Sequence, residues 1–124
     1  MSKAMVIDDS KTIRLILSRT LSELGYDVAQ AANGREGLAA LQGSGDGIGL
    51  ILVDWNMPEM NGLDFVKSVR SDHRYDEIKL MMVTTETQVE QMLAALEAGA
   101  NEYVMKPFTR EVIEDKLRLM GVLQ

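Results

Sequence analysis

The sequence predicts an α/β protein in which five buried strands alternate with five helices. Short apolar segments recur at 4–7, 50–53, 80–83 and 103–105, and a weaker fifth lies at 26–31. Continuous apolar runs of this length are typical of strands buried on both faces. A segment with helical apolar spacing follows each of them. Such (βα) alternation favours a doubly wound parallel sheet with helices on both faces and right-handed crossovers.

The five helical segments are identified by residues, mostly apolar, that recur at the spacing of one helix face. In chain order, these residues are Ile13, Leu17, Thr20, Leu21 and Leu24; Leu38 and Leu41; Leu63, Val66 and Val69; Val89, Met92, Leu93 and Leu96; and Val112, Ile113, Leu117 and Met120.

Residues suited to helix ends flank four of these segments. They are Asn33-Gly34 before the second helix, Asn61-Gly62 before the third, the capping box of Thr87 and Glu90 with Gly99 around the fourth, and Thr109 before the fifth.

Length and composition restrict the class of protein. The 124 residues suit one domain, predicted to span 1–124, with 46% hydrophobic and 26% charged residues. The net charge of −6 argues against a nucleic-acid surface. The chain has no cysteine, which excludes a disulfide framework and cysteine-ligated zinc. No apolar run has the length of a signal-peptide core or a membrane span, so we expect a cytoplasmic protein.

Polar residues that could carry chemistry follow four of the five predicted strands. Asp8 and Asp9 follow the first strand, Asp54 the third, Thr84 the fourth and Lys106 the fifth, whereas no charge follows the second. The carboxyl ends of parallel strands share one edge of the sheet, where ligands bind at the topological switch point. In the strand order 2-1-3-4-5 the second strand, which no charged residue follows, would lie at the edge of the sheet. The polar residues that follow the other four strands would then be neighbours, and we expect them to form one site.

The adjacent carboxylates Asp8 and Asp9 have two interpretations. They could form a solvated loop with a helix N-cap, since Asp and Ser favour that position. Alternatively, they could form a cation site with Asp54, because clustered carboxylates repel one another. Oxygen ligands without Cys or His suit Mg²⁺ or Ca²⁺. With the charge of Lys106 and the hydroxyl of Thr84, such a site could support phosphoryl transfer to a carboxylate nucleophile.

Four motifs together resemble the receiver domain of two-component response regulators, of the stand-alone CheY-like type. They are DD at 8–9, DWNMPEMNG at 54–62, MMVTTE at 81–86 and YVMKPF at 103–108. The resemblance covers essentially the whole chain. It implies a flavodoxin-like (βα)5 fold with a five-stranded sheet in the order 2-1-3-4-5.

The resemblance also implies roles for the site residues. Asp54 would accept a phosphoryl group from a phosphohistidine on a sensor histidine kinase or a phosphotransfer protein. Asp9, Asp54 and the backbone carbonyl of Asn56 would ligate Mg²⁺, and Asp8 would hold the water shell of the metal. Independently of the resemblance, Trp55 lies next to Asp54 in the sequence and should report on the site by its fluorescence.

Further expectations concern the switch. By resemblance, Thr84 and Lys106 would contact phosphoryl oxygens, and Tyr103 would turn inward when Thr84 moves. The Lys106-Pro107 peptide bond would be cis. The fourth helix, fifth strand and fifth helix would form the output face.

The expected protein is a diffusible monomeric switch that binds a protein target when phosphorylated, without nucleic acid or membrane as partners. A flagellar motor switch in chemotaxis, a phosphorelay histidine protein and another kinase are all compatible targets. A phosphorelay intermediate and a receiver excised from a longer regulator also fit the sequence.

Three other classes of function fit less well. An aspartyl phosphatase would need a second acid where Asn56 stands, so we expect no enzyme turnover. A flavin or nucleotide module would need a Gly-rich or Ser/Thr-rich loop after the first strand, where the sequence reads Asp8-Asp9-Ser10-Lys11. The third class is a scaffold protein whose receiver domain is never phosphorylated. Such a protein would not need Asp54, Thr84 and Lys106 together.

Overall fold

A computed structural model of the chain describes residues 2–44, 47–85 and 89–123, which contain five strands and five α-helices. The strands are β1 Lys3–Ile7, β2 Asp27–Ala31, β3 Ile48–Val53, β4 Lys79–Thr84 and β5 Glu102–Met105. The helices are α1 Lys11–Glu23, α2 Gly34–Ser44, α3 Gly62–Arg70, α4 Val89–Ala98 and α5 Arg110–Leu119. Within these ranges no helix has the length and hydropathy needed to cross a bilayer.

The strands form one parallel sheet in the order β2-β1-β3-β4-β5, which confirms the predicted fold. The strands β1, β3 and β4 lie inside the sheet and are almost wholly buried. The edge strand β2 is mostly exposed, which explains its weaker apolar signal. Because all strands are parallel, their carboxyl ends share one edge of the sheet.

Alternate residues of each inner strand contribute to two core layers, one on each face of the sheet. One layer lies under α2, α3 and α4, and the other lies under α1 and α5. Representative members of the first are Ile51, Val53, Leu41, Phe65 and Ala95, and of the second Leu50, Leu52, Leu17, Ile113 and Leu117.

The described helix ends follow the predicted signals. Asn61 caps α3 by accepting a hydrogen bond from the amide of Asp64, and Thr109 caps α5 through the amide of Val112. Gly99 follows α4 with a φ of +122°, in the left-handed region that favours glycine. The predicted capping residue Thr87 lies outside the described residues.

The apolar spacing in α4 locates the helix correctly but identifies its buried face only in part, since Met92 packs against the core while the other three predicted residues are exposed. The side chains of Val89, Leu93 and Leu96 are 68%, 51% and 41% exposed, whereas Ala95 is fully buried. The small Ala95 side chain lies in the core layer under this helix. The larger apolar side chains therefore form an exposed stripe.

A single turn of 3-10 helix at His73–Tyr75, which the apolar periodicity did not predict, connects α3 to β4. Asp72 caps this turn by accepting a hydrogen bond from the amide of Arg74. Tyr75 is buried in the core layer, whereas His73 is exposed. The residues around this turn are mostly polar, so the apolar periodicity gave no indication of it.

Candidate phosphoacceptor site

Backbone hydrogen bonds bring the carboxyl ends of four strands together. Ile7 at the end of β1 is in register with Val53 at the end of β3, and the amide of Asp54 donates to the carbonyl of Ile7 over 3.0 Å. The amide of Lys106 donates to the carbonyl of Thr84 over 2.9 Å. The loops that carry the predicted site residues are thus fixed by the sheet.

Asp8, Asp9 and Asp54 form an acidic cluster in which one carboxylate oxygen from each residue lies within 4.8 Å of the others. Asp8 and Asp54 are 1% and 6% exposed, whereas Asp9 is exposed at the rim. Three oxygen donors this close repel one another unless a cation lies between them. Hard oxygen donors at one open site fit Mg²⁺, which binds through one or two carboxylates and retains waters.

Lys106 supplies a positive charge at the base of this cluster. Its Nζ lies 2.7 Å from Oδ2 of Asp8 and 3.5 Å from Oδ2 of Asp54. The Lys106 side chain is only 15% exposed, so water screens both contacts weakly. The lysine therefore offsets charge on the two buried carboxylates.

Burial raises the pKa of the Asp54 carboxyl above its ordinary value, because the charged form loses hydration. The positive charge of Lys106 opposes this shift, and the negative charge of Asp8 adds to it. Hydrogen bonds from the Thr84 side chain and from the Trp55 amide, which is 2.8 Å from Oδ1, also favour the carboxylate. Asp54 is thus a buried carboxyl group with donors directed at its charged form.

Asp8 has a second role in the turn that leads into α1. Its Oδ1 accepts a hydrogen bond from the amide of Ser10 over 2.9 Å, and Ser10 in turn caps α1. The two interpretations of the adjacent acids are therefore compatible. Ser10 is the N-cap, while Asp8 and Asp9 belong to the acidic cluster.

Thr84 and Tyr103 both lie inside the fold. Thr84 is fully buried at the end of β4, and Tyr103 in β5 is 6% exposed and belongs to the core layer under α4. Tyr103 is therefore buried in this structure, and its coupling to Thr84 stays a prediction. The Lys106-Pro107 peptide bond is cis, which confirms that prediction.

The structure brings together five predicted residues, namely Asp8, Asp9, Asp54, Thr84 and Lys106. Asn56 lies in the exposed loop two residues beyond Asp54, and the metal contact of its carbonyl stays a prediction. Sequence reasoning missed Arg14, whose Nη1 donates to the backbone carbonyl of Asp8 over 2.7 Å. No local sequence pattern marks this contact, because it joins a side chain of α1 to a backbone carbonyl in the preceding loop.

This fold and acidic pocket define a class of signalling protein. The family model described as the response regulator receiver domain matches residues 4–118, and the chain belongs to this family. Receiver domains bind Mg²⁺ at an acidic pocket and act as signalling proteins that interact with histidine kinases and downstream targets.

Several relatives are CheY proteins. The chain is 49% identical to the chemotaxis protein CheY1 of Helicobacter pylori over 119 residues, 95% of each chain. It is 45% identical to the chemotaxis protein CheY homolog of Campylobacter jejuni over 116 residues, which covers 93% of this chain and 88% of that one. The structure of CheY4 from Vibrio cholerae has a TM-score of 0.88 at 39% identity and covers 97% of this chain and 98% of that one. The chain is therefore a CheY-like phosphoacceptor domain.

Proposed function

We propose that Asp54 is the phosphoacceptor of a histidine-to-aspartate phosphorelay. The observation that carries this proposal is the environment of its carboxylate. Lys106 lies 3.5 Å from Oδ2, and the hydroxyl of Thr84 is hydrogen-bonded to the carboxylate. These groups can pair with phosphoryl oxygens once the Asp54 carboxylate becomes an acyl phosphate.

In the proposed reaction an oxygen of Asp54 attacks the phosphorus of a phosphohistidine on the donor. The phosphorus–nitrogen bond breaks, and its electron pair stays with the imidazole, which leaves in neutral form when its other nitrogen carries a proton. Lys106 offsets the charge on the phosphoryl oxygens, and Thr84 donates a hydrogen bond to one of them. The products are an aspartyl phosphate and an unmodified histidine.

Asp9, Asp54 and the backbone carbonyl of Asn56 are proposed to hold Mg²⁺, with Asp8 bonding to its water shell. When bound, Mg²⁺ would neutralise charge on the transferring phosphoryl group. The oxygen-only donor set and the 4.8 Å limit on the oxygen separations support this assignment. Asn56 offers no acid for hydrolysis, so we expect a switch with slow dephosphorylation and no enzyme turnover.

The output face is proposed to comprise α4, β5 and α5. Exposed large apolar side chains support this choice, because six of the eight found among the described residues lie on these elements. They are Val89, Leu93, Leu96, Met105, Val112 and Leu119. Thr84 and Tyr103 would connect Asp54 to this face.

The proposed pathway is chemotaxis, because the relatives from Helicobacter pylori, Campylobacter jejuni and Vibrio cholerae are named as chemotaxis proteins. The proposed partners are a sensor histidine kinase or phosphotransfer protein upstream and a protein target downstream. The acidic net charge of −6 supports a protein target with a basic docking surface.

Incubation with acetyl phosphate and Mg²⁺ tests the phosphoacceptor. We expect intact-mass spectrometry to show one added phosphoryl group, and borohydride reduction followed by peptide mapping to place homoserine at position 54. Asp54→Asn should abolish the labelling, whereas Asp64→Asn, at an exposed acid in α3, should retain it. Labelling of Asp54→Asn at the wild-type rate would contradict the proposal, and continuous phosphate release would favour a phosphatase.

The proposed switch is tested with fluoroberyllate, which mimics a phosphoryl group. We expect it to shift the amide NMR signals of α4 and β5 in the wild type. Thr84→Ala should bind Mg²⁺ normally but lose most of these shifts, because its hydroxyl is absent. Unchanged shifts in Thr84→Ala would remove Thr84 from the switch.

A further inference from the structure

The Asp9 carboxylate is the least restrained member of the acidic cluster. Lys106 contacts both Asp8 and Asp54, but no hydrogen bond or ion pair reaches the Asp9 side chain from any described residue. Its carboxylate nevertheless lies within 4.8 Å of the other two. The conformation of the backbone around Asp9 sets the direction of its Cα–Cβ bond, and with it the positions that this carboxylate can reach.

Both peptide groups next to Asp9 are anchored. The amide between Asp9 and Ser10 donates its N–H to Oδ1 of Asp8 over 2.9 Å. The carbonyl between Asp8 and Asp9 accepts a hydrogen bond from Nη1 of Arg14 over 2.7 Å. These two contacts restrain the peptide group before Asp9 and the peptide group after it.

Arg14 is itself well supported. It is half-buried in the first turns of α1, and its amide donates to the carbonyl of the N-cap Ser10 over 3.0 Å. Leu17 and Leu21 anchor this helix in the core. A guanidinium on a rigid helix can hold a carbonyl group more precisely than a residue on a loop.

We infer that Arg14 is a positioning residue for the metal site, which orients Asp9 toward Mg²⁺ by holding the Asp8–Asp9 peptide carbonyl. This inference rests on the proposed assignment of Asp9 as a metal ligand. Partners that orient metal ligands commonly contribute one to two orders of magnitude to metal affinity.

Because Arg14 is charged, the inference can be tested by whether Mg²⁺ affinity rises or falls when Arg14 is replaced. A positive charge near the cluster repels a divalent cation, so its removal alone would strengthen Mg²⁺ binding. Loss of the hydrogen bond to the Asp8 carbonyl would weaken Mg²⁺ binding by releasing Asp9. Positioning and simple electrostatics therefore predict opposite changes for the same variant.

The experiment is a Mg²⁺ titration followed by Trp55 fluorescence and by calorimetry. We expect Arg14→Met to weaken Mg²⁺ binding by about tenfold and Arg14→Lys, which retains the charge and a donor, to recover part of the affinity. Arg19→Met is the matched control, since it removes the same charge from an exposed position on the same helix. Its affinity should equal or exceed that of the wild type.

Urea unfolding in chelator and in Mg²⁺ separates positioning from a general effect on stability. A purely structural role would lower stability equally in both conditions, whereas positioning reduces the increment that Mg²⁺ adds. If Arg14→Met does not fold, Arg14→Gln provides the same comparison. Equal or tighter Mg²⁺ binding by the Arg14 variants would overturn the inference. Absence of Mg²⁺ binding by the wild type would instead refute the proposed metal site, and with it this inference.

Discussion

The ammonium group of Lys106 lies closer to Asp8 than to Asp54, at 2.7 Å and 3.5 Å respectively. Lys106 therefore serves as the counter-ion of Asp8, which is 1% exposed, and also lies near Asp54, the proposed phosphoacceptor. A buried charge that loses its partner is costly, because neither water nor another cation replaces the contact. The resting stability of the site thus depends on a residue whose proposed role is in phosphorylation.

Replacement of Lys106 should destabilise the protein through Asp8. We expect Lys106→Met to lower the free energy of unfolding in chelator by roughly 3 kcal/mol, the usual consequence of removing one partner from a buried ion pair. The double variant with Asp8→Asn should recover much of this loss. The measurement is urea unfolding of both proteins.

Lys116→Met is the matched control for this prediction. Its Nζ is 3.1 Å from Glu102, but the two side chains are 33% and 23% exposed. Removal of such a pair should cost less than about 1 kcal/mol. An equal effect of the two lysine variants would show that burial of Asp8 does not govern the loss.

Asp54→Asn should change the pH dependence of stability. Because burial raises the pKa of Asp54 in the folded state, this group stabilises the fold at acid pH and loses that contribution as pH rises through the folded pKa. Asparagine does not titrate. In chelator, the stability of Asp54→Asn relative to the wild type should therefore increase from about pH 4, near the ordinary pKa, toward neutral pH.

Mg²⁺ provides the control for the Asp54 prediction. At neutral pH the ion should stabilise the wild type more than Asp54→Asn, because the variant lacks one of the carboxylates proposed to bind it. Urea unfolding across pH with chelator, and at pH 7 with Mg²⁺, measures both effects. A relative stability in chelator that falls toward neutral pH would contradict the raised pKa.

Arg70, the last residue of α3, links the α3–β4 connection to the α4–β5 connection near the amino ends of β4 and β5, at the edge of the sheet opposite the site. Its guanidinium donates to the carbonyls of Gly99, Tyr75 and Ile78 at 2.7–3.0 Å, and to the side chain of Asn101 over 3.0 Å. Arg70→Lys cannot reproduce this planar set of donors. We expect a loss of about 2–4 kcal/mol in urea unfolding.

Arg74→Lys is the control for Arg70, because Arg74 is 72% exposed and forms an ion pair with the nearby Asp72. We expect a much smaller change in the free energy of unfolding. Similar losses for the two variants would show that the buried acceptors around Arg70 contribute little.

Gly99 should tolerate no side chain. Its φ is +122°, and a Cβ there would lie 2.5 Å from Cγ of Arg70. Gly99→Ala should therefore cost about 3 kcal/mol, which combines backbone strain and overpacking. Gly25→Ala, with a φ of +101° and nothing within 4 Å, should cost only the strain, about 1 kcal/mol. The measurement is thermal unfolding of both variants. Equal losses of stability for Gly99→Ala and Gly25→Ala would contradict the prediction.

Much of the fold could be predicted from local patterns. Strands buried on both faces require continuous apolar runs, and β1, β3 and β4 show them. The site residues could be predicted because they directly follow strands whose carboxyl ends share one edge. Helix ends were readable at Asn61, Thr109 and Gly99, since capping depends on neighbouring residues.

The sequence by itself determined the element order, the parallel sheet and the residues that meet at its carboxyl edge. Only the tertiary structure decided which face of α4 is buried, how Lys106 divides its contacts between Asp8 and Asp54, and that Arg14 reaches the Asp8 carbonyl. Periodicity and caps act over a few neighbouring residues, so the sequence displays them. Distances between side chains depend on how whole elements pack, and residues 98 positions apart, such as Asp8 and Lys106, acquire their separation only when the sheet has formed.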